Sequence, residues 1–354
     1  MKSMLSKSVQ PILGLDIGTR FIKAVMLERA GNSFTVTAMA CEPISGNAFK
    51  EREIEDFDAI SNALKKVKLG LKQKKLKDVA IAVAGGSVLT KIVQMAPDQT
   101  DYELEGQIEI EADSLIPYPL DEVYLDFEEL GPSETHDGRV NVLLSAAHRD
   151  TVDKRVTLIR EVPMEPKVVD IEGYAMANAV SSFYPSTDEA IICVNVGASL
   201  LQVSVIKNNI VVYSKEHTFG MDVMLQDICS SMMLEREDAQ RQLIEGELPE
   251  TWKQEILPIF VSNLHQQINR ALQMYISATH AARPEKLLLC GGGAVISEMA
   301  PMLEQDLGIS IELFNPLANM QFGKNVSPEV AQKLGPQFTI AAGLASRSFN
   351  PWHI

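Results

Sequence analysis

Apolar positions along this chain follow two rhythms. Leu13–Leu27, LGLDIGTRFIKAVML, is a short apolar run, a polar turn with one glycine, and a second apolar run. That pattern predicts two strands joined by a tight turn. It is written again at Cys193–Ile206, CVNVGASLLQVSVI. Aligning Gly18 with Gly197 gives an offset of 197 − 18 = 179, pairing Asp16 with Asn195, Thr19 with Ala198, Lys23 with Gln202 and Leu27 with Ile206.

The remaining pattern alternates helix and strand. A third strand is predicted over Ser33–Glu42. A helix follows over Glu53–Lys72, with Phe57, Ile60, Leu64, Val67 and Leu71 on one face. Its basic end, Lys65 to Lys77, suits a helix C-terminus. Strands Val79–Ala84 and Val88–Met95 flank Gly85-Gly86-Ser87. After Pro97 comes a unit of helix (Tyr102–Leu115), strand (Glu122–Leu130), strand (Arg139–Ala147) and helix (Arg149–Val162), which reads as an insertion. Strand Val168–Ile171 and helix Glu172–Ser182 resume the first half.

The second half opens at Ala190–Val194. Strand Ile210–Thr218 leads to Gly220, then to helices over Asp222–Leu234, Glu237–Ile244 and Trp252–Ala281, the last interrupted near Pro258. Strand Lys286–Cys290 runs into Gly291-Gly292-Gly293. Helix Ser297–Leu307, strand Ser310–Leu313 and a closing helix Phe338–Phe349 follow. The predicted class is α/β with two lobes. The expected division is 11–97 with 166–187; an inserted unit 98–165; 188–220 with 285–354, its last helix packing back towards the first lobe; and 221–284.

Composition narrows the function. A chain of 354 residues exceeds what one core usually serves. Its formal charge of −15 argues against nucleic acid and against direct docking on an anionic bilayer. No apolar run reaches the ~18 residues that span a membrane. The start, MKSMLSKSVQ, carries Lys2 and Lys7 but no apolar signal core, so a short helix or loose tail and a cytoplasmic location are expected. The four cysteines form no CxxC pair and read as buried small hydrophobes; the six histidines form no HExxH motif.

The candidate chemistry lies at three places. In the first turn, Asp16 can hold a hydrated Mg²⁺. Gly18 admits a phosphate close to the backbone, and Thr19, Arg20 and Lys23 add donors. The second turn offers Asn195, Gly197, Ala198 and Ser199. The third element, Gly291, Gly292 and Gly293, leaves flat backbone for a planar ring beside a helix N-terminus that favours negative charge. Each has a plain alternative: an ordinary hairpin turn or a flexible loop. Two equivalent turns, one per half, can grip one polyphosphate from both sides.

The order of the three elements resembles the superfamily of actin, sugar kinases and DnaK-type ATPases. More closely, the chain resembles the PilM family of type IV pilus machines. The matching stretches are Leu13–Leu27, Asp78–Met95, Glu103–Pro132, Lys167–Ala179, Leu287–Ile296 and Phe338–Phe349; EADxxIPYPLDEV at Glu111–Val123 is the most specific. The resemblance implies an actin-like (ribonuclease H-like) fold whose inserted subdomain is of the type found in FtsA. It implies a scaffold that binds ATP with Mg²⁺ and captures the N-terminal cytoplasmic tail of PilN. The groove for that tail is expected between the first subdomain and the insertion. Through PilN the scaffold reaches PilO, PilP and the motor ATPases, at the inner membrane of a Gram-negative bacterium, with a homo-oligomer as an open question.

Two departures bear on chemistry. The second turn of the superfamily usually begins with Asp, and here stands Asn195. The adenosine helix of relatives carries Glu with a later Lys; here Glu237 (or Asp238) is followed by Arg241, and Gly220 is followed by Met221 rather than a second glycine. Weak or absent ATP hydrolysis is therefore expected. A kinase needs a base to deprotonate its acceptor, and the residues beside the turns offer no convincing one. An actin-fold ATPase or kinase with real turnover and an ATP-dependent filament-forming protein remain as alternatives.

Overall fold

The computed structural model describes residues 11–349 except 51, 74, 75, 134 and 135. The MKSMLSKSVQ segment, His353, and Lys74 and Lys75 of the basic run lie outside the described residues.

The first half begins with β1 (Leu13–Ile17) and β2 (Phe21–Ala30), which pair antiparallel from Leu13↔Met26 to Ile17↔Ile22. β3 (Ser33–Pro43) continues the meander. β4 (Phe49–Lys50) and β5 (Glu53–Ile54) form a small hairpin before α1 (Phe57–Leu71). The helix predicted from Glu53 thus starts later. Glu53 and Ile54 are taken by that hairpin, and Asp56 caps the helix by accepting the Ala59 N–H at 2.9 Å. Ile60, Leu64, Val67 and Leu71 of α1 are buried, each worth roughly 1.5–3 kcal/mol of apolar burial.

β6 (Asp78–Val83) follows and pairs in parallel with β1. Next come β7 (Val88–Met95), α2 (Asp101–Leu115), β8 (Val123–Pro132), β9 (Val140–His148) and α3 (Arg149–Glu161). The strands form a separate sheet, β7-β9-β8, with its own core against α2: Leu104, Ile108, Ala112, Val142 and Leu144. β10 (Glu165–Ile171) returns to the edge of the first sheet, and α4 (Glu172–Phe183) leads to the second half.

There β11 (Ile191–Val196), β12 (Leu201–Lys207) and β13 (Ile210–His217) make the second meander. Helices α5 (Met221–Met232), α6 (Arg236–Glu245), α7 (Thr251–Glu255) and α8 (Leu257–Thr279) follow. The predicted long helix breaks at Ile256. Pro258 then falls in the first turn of α8, where a missing N–H costs little. β14 (Lys286–Cys290), α9 (Met299–Leu307), β15 (Ser310–Leu313), β16 (Gln321–Phe322), α10 (Pro328–Leu334) and α11 (Thr339–Ser346) close the chain.

The first sheet has the order β10-β6-β1-β2-β3-β16, and the second β13-β12-β11-β14-β15. The sequence pattern does not predict β16 or α10; a two-residue strand leaves no periodicity to read. α11 crosses α4 so closely that a Cβ on Gly343 would lie 1.7 Å from the Ala175 carbonyl oxygen. On its other side a Cβ on Gly14 of β1 would lie 1.9 Å from the Ala341 carbonyl oxygen. The two halves are joined across this glycine-lined crossing. No helix among the described residues is long and apolar enough to cross a membrane.

Candidate functional site

The two repeated turns close alike. The Gly18 N–H donates to the Phe21 carbonyl at 3.1 Å, and the Gly197 N–H to the Leu200 carbonyl at 2.9 Å. Their tips meet, with Thr19 Oγ1 and Ser199 Oγ 3.1 Å apart. Carbonyls of the second turn accept from the start of α5: Met221 N–H to Gly197 O at 3.0 Å and Asp222 N–H to Ala198 O at 2.8 Å. A Cβ at Gly220 would sit 2.5 Å from the Ala198 oxygen, so only glycine allows this seat.

The triple glycine has a packing duty beside the one its sequence suggests. A Cβ at Gly291 would lie 2.3 Å from Asn195 Oδ1, and one at Gly293 would lie 2.6 Å from Val196 Cγ1. Both glycines let the loop lie on the second turn's strand; Gly292 alone is open. The following helix also starts later than predicted, at Met299, after a short 3-10 turn at Gly293–Val295. The loop is therefore not a helix N-terminus.

Within each copy of the repeat the polar positions are cross-strand neighbours: Asp16 faces Lys23, and Asn195 faces Gln202. In the first turn they form an ion pair of 2.6 Å, with Asp16 only 4% exposed. Burial alone pulls the Lys23 ammonium down, but the charge and hydrogen bond of Asp16 outweigh it and hold it above its ordinary value. In the second turn Asn195 Nδ2 donates to Gln202 Oε1 at 2.9 Å. Gln202 Nε2 in turn donates to Glu172 Oε2 at 2.9 Å and Glu216 Oε1 at 3.3 Å. Arg52 Nη2 reaches Glu172 Oε1 at 3.0 Å. Burial pushes the Glu172 carboxyl up; Arg52 opposes this, and Asp16 and Glu216 add to it. The buried Arg155 donates to the Ile17 carbonyl at 3.3 Å.

Arg20 lies at the mouth of the cleft. Its Nε donates to Asp222 Oδ1 at 3.1 Å across the two halves, and Arg236 Nη2 meets the same oxygen at 2.5 Å. Sequence reasoning misses Asp222 and Arg236, since nothing in local spacing ties either to Arg20. Glu237 is exposed, and Arg241 is held on the surface of α6 by Asp238, Glu245 and Glu247 at 3.1–3.3 Å.

Beside the turns opens a cavity of about 970 Å³. Thr19, Arg20, Ser199 and Asp222 form one wall; Gly85, Val88, Leu89 and Thr90, then Ile171 and Tyr174, then Ser214, Lys215 and Glu216 form the rest. Its rim draws on β7, β10 and β13, each at the free edge of its own sheet. Gly85 donates its N–H to Glu216 Oε2 at 2.8 Å, bridging the halves.

These residues suit a polyphosphate: paired hydroxyls, two glycine turns, Arg20 and Lys23. They suit a directly bound divalent ion less well. The Asp16 carboxylate is already taken by Lys23, Asn195 is uncharged, and no cluster of three or more His, Cys, Asp or Glu residues among the described residues could hold a metal. The model of the family described as type IV pilus assembly protein PilM matches residues 14–349.

The chain belongs to the PilM family.

Solved structures agree on the fold of this PilM-family chain. A chain of a PilM-PilN type IV pilus biogenesis complex shares 24% identity, with 97% of this chain and 99% of that one covered, and gives a TM-score of 0.82. The ethanolamine utilization protein EutJ from Carboxydothermus hydrogenoformans shares 12% identity over 95% of this chain and 89% of its own, at 0.59. MreB5 of Spiroplasma citri bound to ADP shares 12% over 97% and 99%, at 0.50. The fold is the two-lobed actin-like one. Within it, the PilM-family chain gathers Asp16, Gly18, Thr19, Arg20, Lys23, Asn195, Gly197, Ala198, Ser199, Gly220 and Gly291–Gly293 around the paired turns; of these, Thr19, Arg20 and Ser199 line the cavity. Glu237 and Arg241 face solvent on α6.

Proposed function

We propose that this PilM-family chain is a nucleotide-holding scaffold of the type IV pilus machine. ATP sits between the two turns, and the N-terminal tail of a PilN protein enters the adjoining cavity. The observation that carries the reading is the meeting of three free sheet edges on one cavity that opens from the paired turns. An extended peptide adds main-chain hydrogen bonds to such an edge and places alternate side chains in pockets. Val88, Leu89 and Tyr174 supply apolar surface there, and Lys215 supplies a polar end. The similarity to a chain of a PilM-PilN complex supports PilN as the partner.

On this reading Gly18 and Gly197 let the phosphates approach the backbone, Thr19 and Ser199 donate hydroxyls, and Arg20 and Lys23 offset the charge. Bound ATP supplies the triphosphate, and Mg²⁺ arrives with it rather than on a preformed carboxylate seat. Turnover is slow or absent, since Asn195 carries no charge to hold a metal-bound triphosphate. Membrane association follows through PilN, with PilO, PilP and the motor ATPases reached indirectly. The fourfold division set out from the sequence is part of this proposal with one boundary moved: β7 pairs with β9 and so goes with the insertion. The tail groove expected at the junction of the first subdomain and the insertion takes a further wall from the second half, through Ser199, Lys215 and Glu216.

The test is a pair of titrations. A fluorescent peptide carrying the cytoplasmic N-terminal segment of the cognate PilN is titrated with the protein, as is mant-ATP. Thr90→Arg should weaken the peptide at least tenfold, about 1.4 kcal/mol, and leave mant-ATP unchanged. Wild-type peptide affinity in the variant would remove the cavity from the reading.

A further inference from the structure

We infer that Gln202 couples the second turn to the rim of the cavity, so that a ligand at Asn195 is felt at Gly85. The inference rests on the nucleotide reading above and names the regulation of that same site.

The chemistry of the neighbours sets the direction of the chain of bonds. One terminal atom of Gln202 lies beside two carboxylates, Glu172 and Glu216. A carbonyl oxygen cannot sit there, so this atom is the amide nitrogen, which has two hydrogens to give. The Gln202 oxygen then faces Asn195 and needs a donor. Asparagine has one; aspartate at this position would set acceptor against acceptor. Asn195 is thus the residue its neighbour demands. The swap is double: where the first turn pairs Asp16 with Lys23, the second pairs Asn195 with Gln202.

Three hydrogen bonds lead from the turn to the rim. Asn195 to Gln202 is 2.9 Å, Gln202 to Glu216 is 3.3 Å, and Gly85 N–H to Glu216 is 2.8 Å. Gln202 is fully buried, so it touches the rest of the network and no bound ligand. Its second branch ends on Arg52, whose backbone is left-handed at φ 72°, an arrangement costly for a side chain other than glycine. Arg52 Nε is buried and has no partner among the described residues. The surrounding structure holds this residue under strain with its guanidinium on Glu172, as a fixed end to the network.

A phosphate at the second turn attracts the Asn195 amide. When the amide turns away from Gln202 to face it, Gln202 Oε1 loses its donor, its grip on Glu216 weakens, and the Glu216–Gly85 bond opens. By linkage, a tail that holds the rim open raises nucleotide affinity by the same factor that nucleotide raises tail affinity.

Hydrogen–deuterium exchange of the peptide containing Gly85 tests this, with and without saturating ATP, beside mant-ATP titrations. In the wild type ATP should speed exchange about fivefold or more, the lower end of ordinary coupling. Gln202→Met and Glu216→Gln should keep mant-ATP affinity within about threefold, ~0.6 kcal/mol, and lose the ATP-dependent change. Should Gln202→Met fail to fold, Glu216→Gln carries the test from the half-open end of the chain of bonds. If ATP binds and the Gly85 segment is unmoved or slows, or if the variants respond as the wild type does, the relay is overturned and the nucleotide reading stands. If the wild type binds no mant-ATP, both fall.

Discussion

Thr19 Oγ1 lies 3.1 Å from Ser199 Oγ, although 180 positions separate them in the chain. The contact is the point at which two copies of one sequence pattern meet, and it places two hydroxyls where a shared anion would need them. A neutral hydrogen bond of this kind is worth about 1 kcal/mol. Thr19→Val and Ser199→Ala should each weaken mant-ATP binding about five- to tenfold. The double variant should lose less than the product of the two, because the hydroxyls also serve each other. Fluorescence titration of the four proteins measures the coupling.

The Asp16–Lys23 pair makes a prediction about stability. Removing one partner of a buried ion pair leaves the other charge stranded, at a cost of about 3 kcal/mol or more. Urea melts of Lys23→Met at pH 7 should show this loss. The sign with pH follows from the raised Lys23 value. A cation held above its unfolded pKa contributes fully below about 10.4 and loses that contribution as pH rises through the folded value. The gap between wild type and variant should therefore narrow only in strong alkali, beyond the ordinary lysine range.

Asn195→Asp should destabilise the protein rather than restore a lost carboxylate. The new acceptor would face Gln202 Oε1 in a buried site, at a cost of about 1–3 kcal/mol. Adding Gln202→Lys recreates the pairing of the first turn and should recover at least half of the loss. Thermal melts of the single and double variants decide this; no recovery in the double variant would show that the two turns are not interchangeable in this respect.

The α4–α11 crossing predicts opposite outcomes for two glycine-to-alanine changes. Gly343→Ala drives a methyl to 1.7 Å from the Ala175 carbonyl and should cost about 3 kcal/mol or more, in the range of severe overpacking. Gly106→Ala lies inside α2 with nothing within 4 Å of the added atom and should stabilise by up to about 1 kcal/mol. Chemical denaturation of both, side by side, separates crowding from helix propensity.

Much of this fold is legible in the chain itself. Both hairpins, α1, α2, α8 and the buried strands announce themselves through periodicity, and the repeat at offset 179 identifies the paired turns. Cross-strand register then follows from the turn lengths, which is why Asp16 meets Lys23 and Asn195 meets Gln202. Long-range partners are not legible. Arg20 finds Asp222 across 202 positions, and Arg236 joins them from a third element; no local pattern encodes such a meeting. The triple glycine does not declare its packing in sequence, because a glycine kept for backbone approach to a ligand looks the same there as one kept for approach to Asn195 and Val196. Glu53 and Ile54 fit a helical face, yet a small hairpin claims them.

The three sheet edges that rim the cavity carry a further consequence, for handling the protein. Unpaired edges invite other strands, and in concentrated solution the nearest supply is another copy of the same chain. Preparations without a peptide in place should thus be the ones that cloud on storage. Co-expression with a bound segment, or a charged substitution on β7, is the practical remedy.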